Sequence, residues 1–142
     1  MPTPDQDWTW QCDRVIANDA AIGRRLLDDL LCQLKTLQWS PRDIFGVHLA
    51  VDEALVNAIR HGNADDATKH VQFTARVCPT KVLVEIVDEG PGFNPDRLPD
   101  PTSPGRLGCP GGRGVLLMRA FMSHVEFRDR GNRVVLEKER SL

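Results

Sequence analysis

From Val71 to Cys78 the residues alternate: Val71, Phe73, Ala75 and Val77 are apolar, while Gln72, Thr74 and Arg76 between them are polar. Successive side chains of a strand point to opposite faces, so this segment has one face to bury and one to leave in water. Pro79-Thr80 turns the chain into a second run, Lys81–Asp88, in which Val82, Val84 and Ile86 share a face that Asp88 ends. A sheet with one apolar face needs a layer of other structure over it. That requirement constrains the rest of the chain.

The covering layer is legible as helices. Asn18 or Asp19 can cap a helix in which Ile22, Leu26, Leu30, Leu34 and Leu37 recur every three or four residues, and Trp39-Ser40-Pro41 breaks it. The next helix is marked at both ends. Ser40 is its expected N-cap, Pro41 its first residue and Asp43 the acid of a capping box. Arg60 and His61 suit its carbonyl end, and Gly62 stops it. Trp8–Asp13 alternates enough for an edge strand, and Glu89–Gly112 is a long Gly- and Pro-rich loop of the kind that is functional or disordered. A third helix is expected from Gly114 to about Met122. Val125–Arg128 and Arg133–Lys138 then read as a hairpin joined by Asp129-Arg130-Gly131-Asn132. The sum is an α+β fold, a two-layer sandwich of about three helices on a mainly antiparallel, mixed sheet.

A chain of 142 residues implies one domain, 1–142, with its core in residues 10–138. Such a domain buries roughly 68–70% of the surface of its unfolded chain. Lysine and arginine total 18 against 20 acidic residues, a formal charge of -2. That balance argues against a phosphate-backbone surface for DNA or RNA. Cys12, Cys32, Cys78 and Cys109 include no C-x-x-C pair, and no cysteine or histidine pair has zinc-ligand spacing. Met1–Val15 lacks the apolar stretch of a signal peptide, and the longest aliphatic run, Val115–Met118, is far too short to span a bilayer. The expectation is a soluble, cytoplasmic protein with no direct nucleic-acid or membrane partner.

Candidate chemistry sits on three segments. On the second helix, at about 100° per residue, Ile44, Val47, Val51, Leu55 and Ala58 form the core stripe. Glu53 and Asn57, four apart, point nearly the opposite way, and Arg60 falls on Glu53's side. Their neighbours Gly46, Leu49, Ala50 and Val56 are small or apolar, which suggests a partly dry pocket. An ordinary surface pair is the plain alternative. A functional pair would place Asn57's amide oxygen, a hard neutral ligand, on magnesium, with Glu53 accepting or orienting a hydroxyl proton. Asp88 points to the buried side, where a carboxylate must find donors. The exocyclic amino group of adenine is one such donor, and the backbone of a Glu89-Gly90 turn is another. Gly90 and Gly92 let the chain approach a flat ring. Gly111-Gly112-Arg113-Gly114 opens the third helix, where amides can meet phosphate oxygens. It is neither a Walker A loop nor a dinucleotide turn, and a plain loop is its alternative.

Taken in order, Glu-x-x-x-Asn on a helix, Asp-x-Gly-x-Gly after a strand, then a lid and Gly-x-Gly before a helix resemble the GHKL ATPases. The run from Ala50 to Gly62, with Gly112-Arg113-Gly114-Val115, is similar to that of the bacterial anti-sigma factor serine kinases, and the likeness extends from about Trp10 to Lys138. The resemblance implies ATP and Mg2+ as ligands, Glu53 as general base and Asn57 as the magnesium ligand. It puts Arg60 where a phosphate contact is made and Asp88 at the adenine amino group, with Gly90 and Gly92 shaping that wall. Gly112, Arg113 and Gly114 fall at the phosphates, and residues 95–111 form the lid. It further implies that a sigma factor is held and that a serine is phosphorylated on a STAS-domain anti-anti-sigma partner. A non-catalytic module switched by nucleotide is the alternative. The chain departs from the pattern in Val115, where leucine or phenylalanine is frequent, and in having no threonine in Arg133–Leu136. It also carries Pro99, Pro101, Pro104 and Pro110 in the lid. His61 is expected to be a helix-end histidine rather than a phosphoacceptor. The first helix offers a homodimer face that core packing explains equally well.

Overall fold

The computed structural model describes residues 7–92 and 112–141. They form strands β1 (Trp10–Ala17), β2 (His70–Cys78), β3 (Lys81–Val87), β4 (His124–Arg128) and β5 (Arg133–Glu139). The helices are α1 (Ala20–Thr36), α2 (Pro41–Val56) with a π turn (Asn57–Gly62), and α3 (Gly112–Phe121). The lid expected at residues 95–111 lies outside the described residues.

The strands make one five-stranded sheet in the order β1-β2-β3-β5-β4. The sheet expected to be mainly antiparallel is antiparallel throughout, because β5 returns beside β3 after α3 and β4. Val71, Phe73, Ala75 and Val77 are buried on the inner face, as the alternation requires, beside Val82, Val84 and Ile86. Leu27, Leu30, Leu34, Val47 and Val51 close over them from α1 and α2. Among the described residues no helix is long and apolar enough to cross a membrane.

Two local expectations are shifted, and the cap left between two residues is decided. β1 runs to Ala17 rather than ending at Asp13, because its 8 residues pair in register with His70–Val77. Its inward set is Trp10, Cys12 and Ile16, with exposed Arg14 interrupting the alternation. Asp19, not Asn18, caps α1, accepting from the Ala21 amide at 2.8 Å. The buried stripe of α1 is Gly23, Leu27, Leu30, Leu31 and Leu34, with Ile22, Leu26 and Leu37 only partly covered. Gly23 sets that rotation: a Cβ there would lie 3.3 Å from Leu55, so α1 and α2 touch at the glycine.

Helix α2 buries two faces rather than one. The expected stripe faces the sheet and α1, while Gly46 and Ala50 are buried on the other side. A Cβ on Gly46 would stand 3.3 Å from Phe121, and Phe45 meets the same ring edge-on at 6.0 Å. The small residues near Glu53 therefore let α3 approach α2 closely.

Ser40 caps α2 as expected, its hydroxyl accepting from the Asp43 amide at 3.1 Å. The Asp43 carboxylate is buried and bound to the far end of the chain. It accepts from the Ser141 amide at 2.8 Å and hydroxyl at 2.7 Å, with Lys138 at 3.8 Å. Burial pushes this carboxyl up, but the Ser141 bonds, the Lys138 ammonium and the Ser40 hydroxyl outweigh it and hold it below the usual range. A lowered carboxyl contributes stability above its unfolded titration and loses it as pH falls through the folded value. Asp43→Ala is therefore expected to cost about 1–3 kcal/mol in urea unfolding at neutral pH. Its deficit should shrink as pH falls below the carboxylate range, and a deficit independent of pH would refute the charge argument.

Candidate functional site

At Asn57 helix α2 widens. The Asn63 amide bonds the Ala58 carbonyl at 2.8 Å, a five-residue step, and the chain leaves through Ala64 and Asp65, both at positive φ. Such π turns concentrate at functional sites because they redirect side chains. Here the turn carries Gly62 against the end of β3. A Cβ on Gly62 would overlap the Asp88 carboxylate, and one on Gly90 would overlap the Gly62 carbonyl. Both positions require glycine for close approach rather than for φ.

Asp88 lies one residue beyond β3. Its amide donates to the Asn132 carbonyl at 2.9 Å, and the Asn132 side-chain amide donates to its carbonyl at 3.0 Å. Its carboxylate is half-buried and accepts from the Gly90 amide at 2.7 Å, so the turn geometry foreseen as the plain alternative is present. One backbone donor does not offset the lost water. Burial raises the Asp88 carboxyl above its ordinary value, against the Gly90 bond and the charges of Arg130 and Lys69.

Two segments that the sequence did not assign to the site hold this loop. Asn63 is fully buried, donating to the His70 carbonyl at 2.9 Å and to Asn18 at 3.1 Å, while its oxygen accepts from the Glu89 amide at 2.7 Å. From the β4–β5 turn, Arg130 donates to the Gly90 carbonyl at 3.1 Å. Gly92, at φ +79°, packs so that a Cβ would overlap the Arg130 carbonyl. The Asp129–Asn132 turn read as hairpin chemistry is thus also a wall of the site. The only signal in sequence was an amide after each of two glycines, Gly62-Asn63 and Gly131-Asn132.

These elements enclose a cavity of about 220 Å³. Ala54, Ala58, Ile86, Met118, Phe127 and Val134 give it apolar walls. Asp88, Pro91, Gly92 and Asn132 line it on the loop side, and Asn57, His61 and Gly62 on the helix side. Asn57 is half-buried, and its Nδ2 is buried with no hydrogen-bond partner. Gly114 faces it: a Cβ there would stand 2.8 Å from Asn57 Nδ2 and 3.2 Å from Glu53 Oε2. Glu53, Asn57 and the first turn of α3 therefore meet, and α3 itself begins at Gly112, so the glycines belong to the helix rather than to a loop before it. The structure brings together Glu53, Asn57, Gly114, Asp88, Gly90 and Gly92 from three separate segments. Arg60 does not join them. It is exposed, on the π turn, and is not among the residues that line the cavity. Among the described residues no group of three or more His, Cys, Asp or Glu is placed to hold a metal ion alone.

A flat, apolar-faced ring with a donor edge suits such a cavity, its edge at Asp88 and any anionic extension towards Asn57 and the α3 N-terminus. A raised carboxyl adds stability only while protonated and loses it as pH rises through the folded value. Asp88→Asn should therefore raise the unfolding midpoint of the ligand-free protein at neutral pH, with the difference vanishing below the carboxylate range. A lower midpoint at neutral pH would overturn the desolvation argument. Gly62→Ala, which drives a methyl into that carboxylate, is expected to cost about 1–3 kcal/mol in urea unfolding.

Known proteins share this architecture. The histidine kinase-like ATPase domain matches residues 17–138. A serine/threonine-protein kinase, BtrW, of Bordetella bronchiseptica is 32% identical over 95 residues, 66% of this chain and 67% of the relative. An anti-sigma F factor of Clostridium perfringens is 28% identical over 104 residues, covering 68% of this chain and 73% of the relative. The crystal structure of the RsbU and RsbW domains of a Mycobacterium tuberculosis protein superposes at a TM-score of 0.61 and 16% identity, over 94% of this chain and 33% of that one. This chain thus spans about a third of that longer protein, and the likeness is one of fold. With a match that takes in both the Glu53–Gly62 helix end and the Asp88 loop, the chain belongs to the histidine kinase-like ATPase family.

Proposed function

We propose that this chain is an anti-sigma factor serine protein kinase that binds ATP with magnesium. On this reading it holds a sigma factor and transfers the terminal phosphoryl group to a serine of a STAS-domain anti-anti-sigma protein. The observation that carries the reading is the polarity of one cavity. A desolvated carboxylate, Asp88, stands on its loop side, and a buried amide without a partner, Asn57 Nδ2, lies on its helix side beside a helix N-terminus. A purine with an exocyclic amine answers the first, and a phosphate chain answers the second.

The residues fit the cation as well. Among the described residues no acidic cluster could hold magnesium alone, and Asn57's amide oxygen would hold it, in keeping with the few protein ligands that ion takes. When bound it supplies charge neutralisation on the phosphates. Gly114 has no side chain to fill the space between α3 and the Glu53–Asn57 pair, so the α3 amides can approach the anion. Gly112 and Arg113, in the same first turn, belong to that assignment. Arg60, exposed on the π turn, is the cation assigned to the phosphates from outside the cavity. Glu53, half-buried beside Gly114, takes the proton of the attacking serine hydroxyl or orients it.

The names of the kinase and the anti-sigma factors among its relatives support this reading over a non-catalytic nucleotide switch. Glu53→Ala is expected to keep ATP affinity within a few-fold while cutting phosphoryl transfer to a STAS protein by about 10²–10⁴. Labelled ATP and calorimetry read the two quantities. Equal loss of both would make Glu53 structural, and a wild type that binds ATP but labels no STAS protein would favour the switch. Asp88→Asn should weaken ATP, and unaltered affinity would refute the adenine assignment.

A further inference from the structure

Phe45 is 58% exposed, yet its ring is held edge-on to Phe121 at 6.0 Å. An aromatic ring that is both exposed and pinned is what binding surfaces use as an anchor. It lines an open groove of about 460 Å³ between the C-terminal end of α1 and the first half of α2, with Lys35, Trp39, Pro41, Ile44 and His48. Trp39 is buried at its base, and the Arg140 guanidinium lies 5.7 Å over the indole while donating to the Gln38 carbonyl at 2.7 Å.

The lining holds an ammonium and an imidazole and no carboxylate. Arg42, three before Phe45 on α2, adds an exposed guanidinium beside them. Among the described residues Lys35, Arg42 and His48 form no ion pair, whereas two acids of α2 are engaged. Asp43 is held by Ser141 and Lys138, and Asp52 by Arg24 at 3.2 Å. Asp28, two turns from Lys35 on α1, is outside the lining. An apolar strip is thus edged by uncompensated positive charge, on a chain whose net charge is -2.

We propose that this groove docks an amphipathic helix of a partner protein, its apolar face on Pro41, Ile44 and Phe45 and its flanking carboxylates towards Lys35, Arg42 and His48. The inference stands independently of the ATP reading. Every lining residue belongs to α1, α2 or their connection, with no strand edge among them, so an extended segment would bury backbone groups that it could not pair. A helix satisfies its own and lays apolar residues into such a groove at i, i+3, i+4 and i+7. The positive edge then selects an acidic helix over a basic one. A second copy of this chain fits poorly. Helices α1 and α2 commit their apolar stripes to the core, and exposed Leu116 of α3 has a cation, Arg119, one turn on.

Titration of the full chain with two end-blocked helical peptides of about four turns, followed by nuclear magnetic resonance, tests this. Both carry leucine at i, i+3, i+4 and i+7, one with glutamate and the other with lysine beside that stripe. The glutamate peptide should bind, and the resonances that move should centre on Lys35, the Trp39 indole, Ile44, Phe45 and His48. The lysine peptide should bind more weakly by about tenfold or more. Phe45→Ala should weaken the glutamate peptide by about tenfold or more, the loss expected of an aromatic anchor. Lys35→Glu combined with Arg42→Glu should reverse the preference between the two peptides. A glutamate peptide that does not bind, that binds no better than the lysine peptide, or that moves the resonances of another face overturns the proposal. So does a folded Phe45→Ala variant with unchanged affinity. Should the variants not fold, the wild-type protein decides the matter through the same two readings, the face that moves and the preference for glutamate over lysine.

Discussion

The site depends on the contact between the π turn and the loop after β3. Gly62 and Gly90 touch through backbone, the Asp88 carboxylate rests on Gly62, and Asn63 ties the end of the turn to the Glu89 amide and to the start of β2. A backbone approach of that kind tolerates no Cβ on either side. With the contact in place, Asp88 and Asn57 face one cavity. Without it the helix end and the strand end would be two unrelated surface features.

The same contact explains why the site stores free energy rather than contributing it. Asp88 is partly desolvated with one backbone donor in return, and Asn57 Nδ2 and Asn132 Oδ1 have no partners. Buried polar groups in a settled fold are nearly always satisfied, so three under-satisfied groups on one cavity mark a place shaped for something other than stability. The fully buried carboxylate elsewhere in the fold shows the opposite economy. Asp43, also buried, has two bonds from Ser141 and a nearby ammonium, and its charge is stabilised. Two carboxylates, one buried and one half-buried, differ in their donors and have opposite shifts.

Much of the fold was legible before any coordinates. The alternation of Val71–Cys78, the Ser40-Pro41 start of α2, the apolar stripe of α2 and the Asp129–Asn132 turn all stand where local rules put them. The shifted features have a common cause. The extent of β1 is set by its register against β2, Arg14 interrupting its alternation, and the rotation of α1 follows from Gly23 touching Leu55, a contact between helices. In the site, Glu53, Asn57, Asp88, Gly90, Gly92 and Gly114 were all visible as motifs. Asn63 and Asn132 were not, since an amide after a glycine is ordinary loop chemistry until its partners are known.

The amino-acid sequence by itself determined which residues carry donors, acceptors and charge, and which faces of each helix and strand are apolar. Those are properties of single residues and of periods of 2 and 3.6, and they need no distant partner. Only the tertiary structure decided that α2 widens at Asn57, that Glu53 stands beside Gly114 while Arg60 is exposed, and that the Asn132 amide oxygen is buried without a partner. Each of these arises from contacts between segments far apart in the chain, such as Asn63 with Glu89, 26 residues on, or Asn132 with Asp88, 44 residues back. Local propensity contains no term for such distances. The packing of the π turn against the β3 loop supplies it.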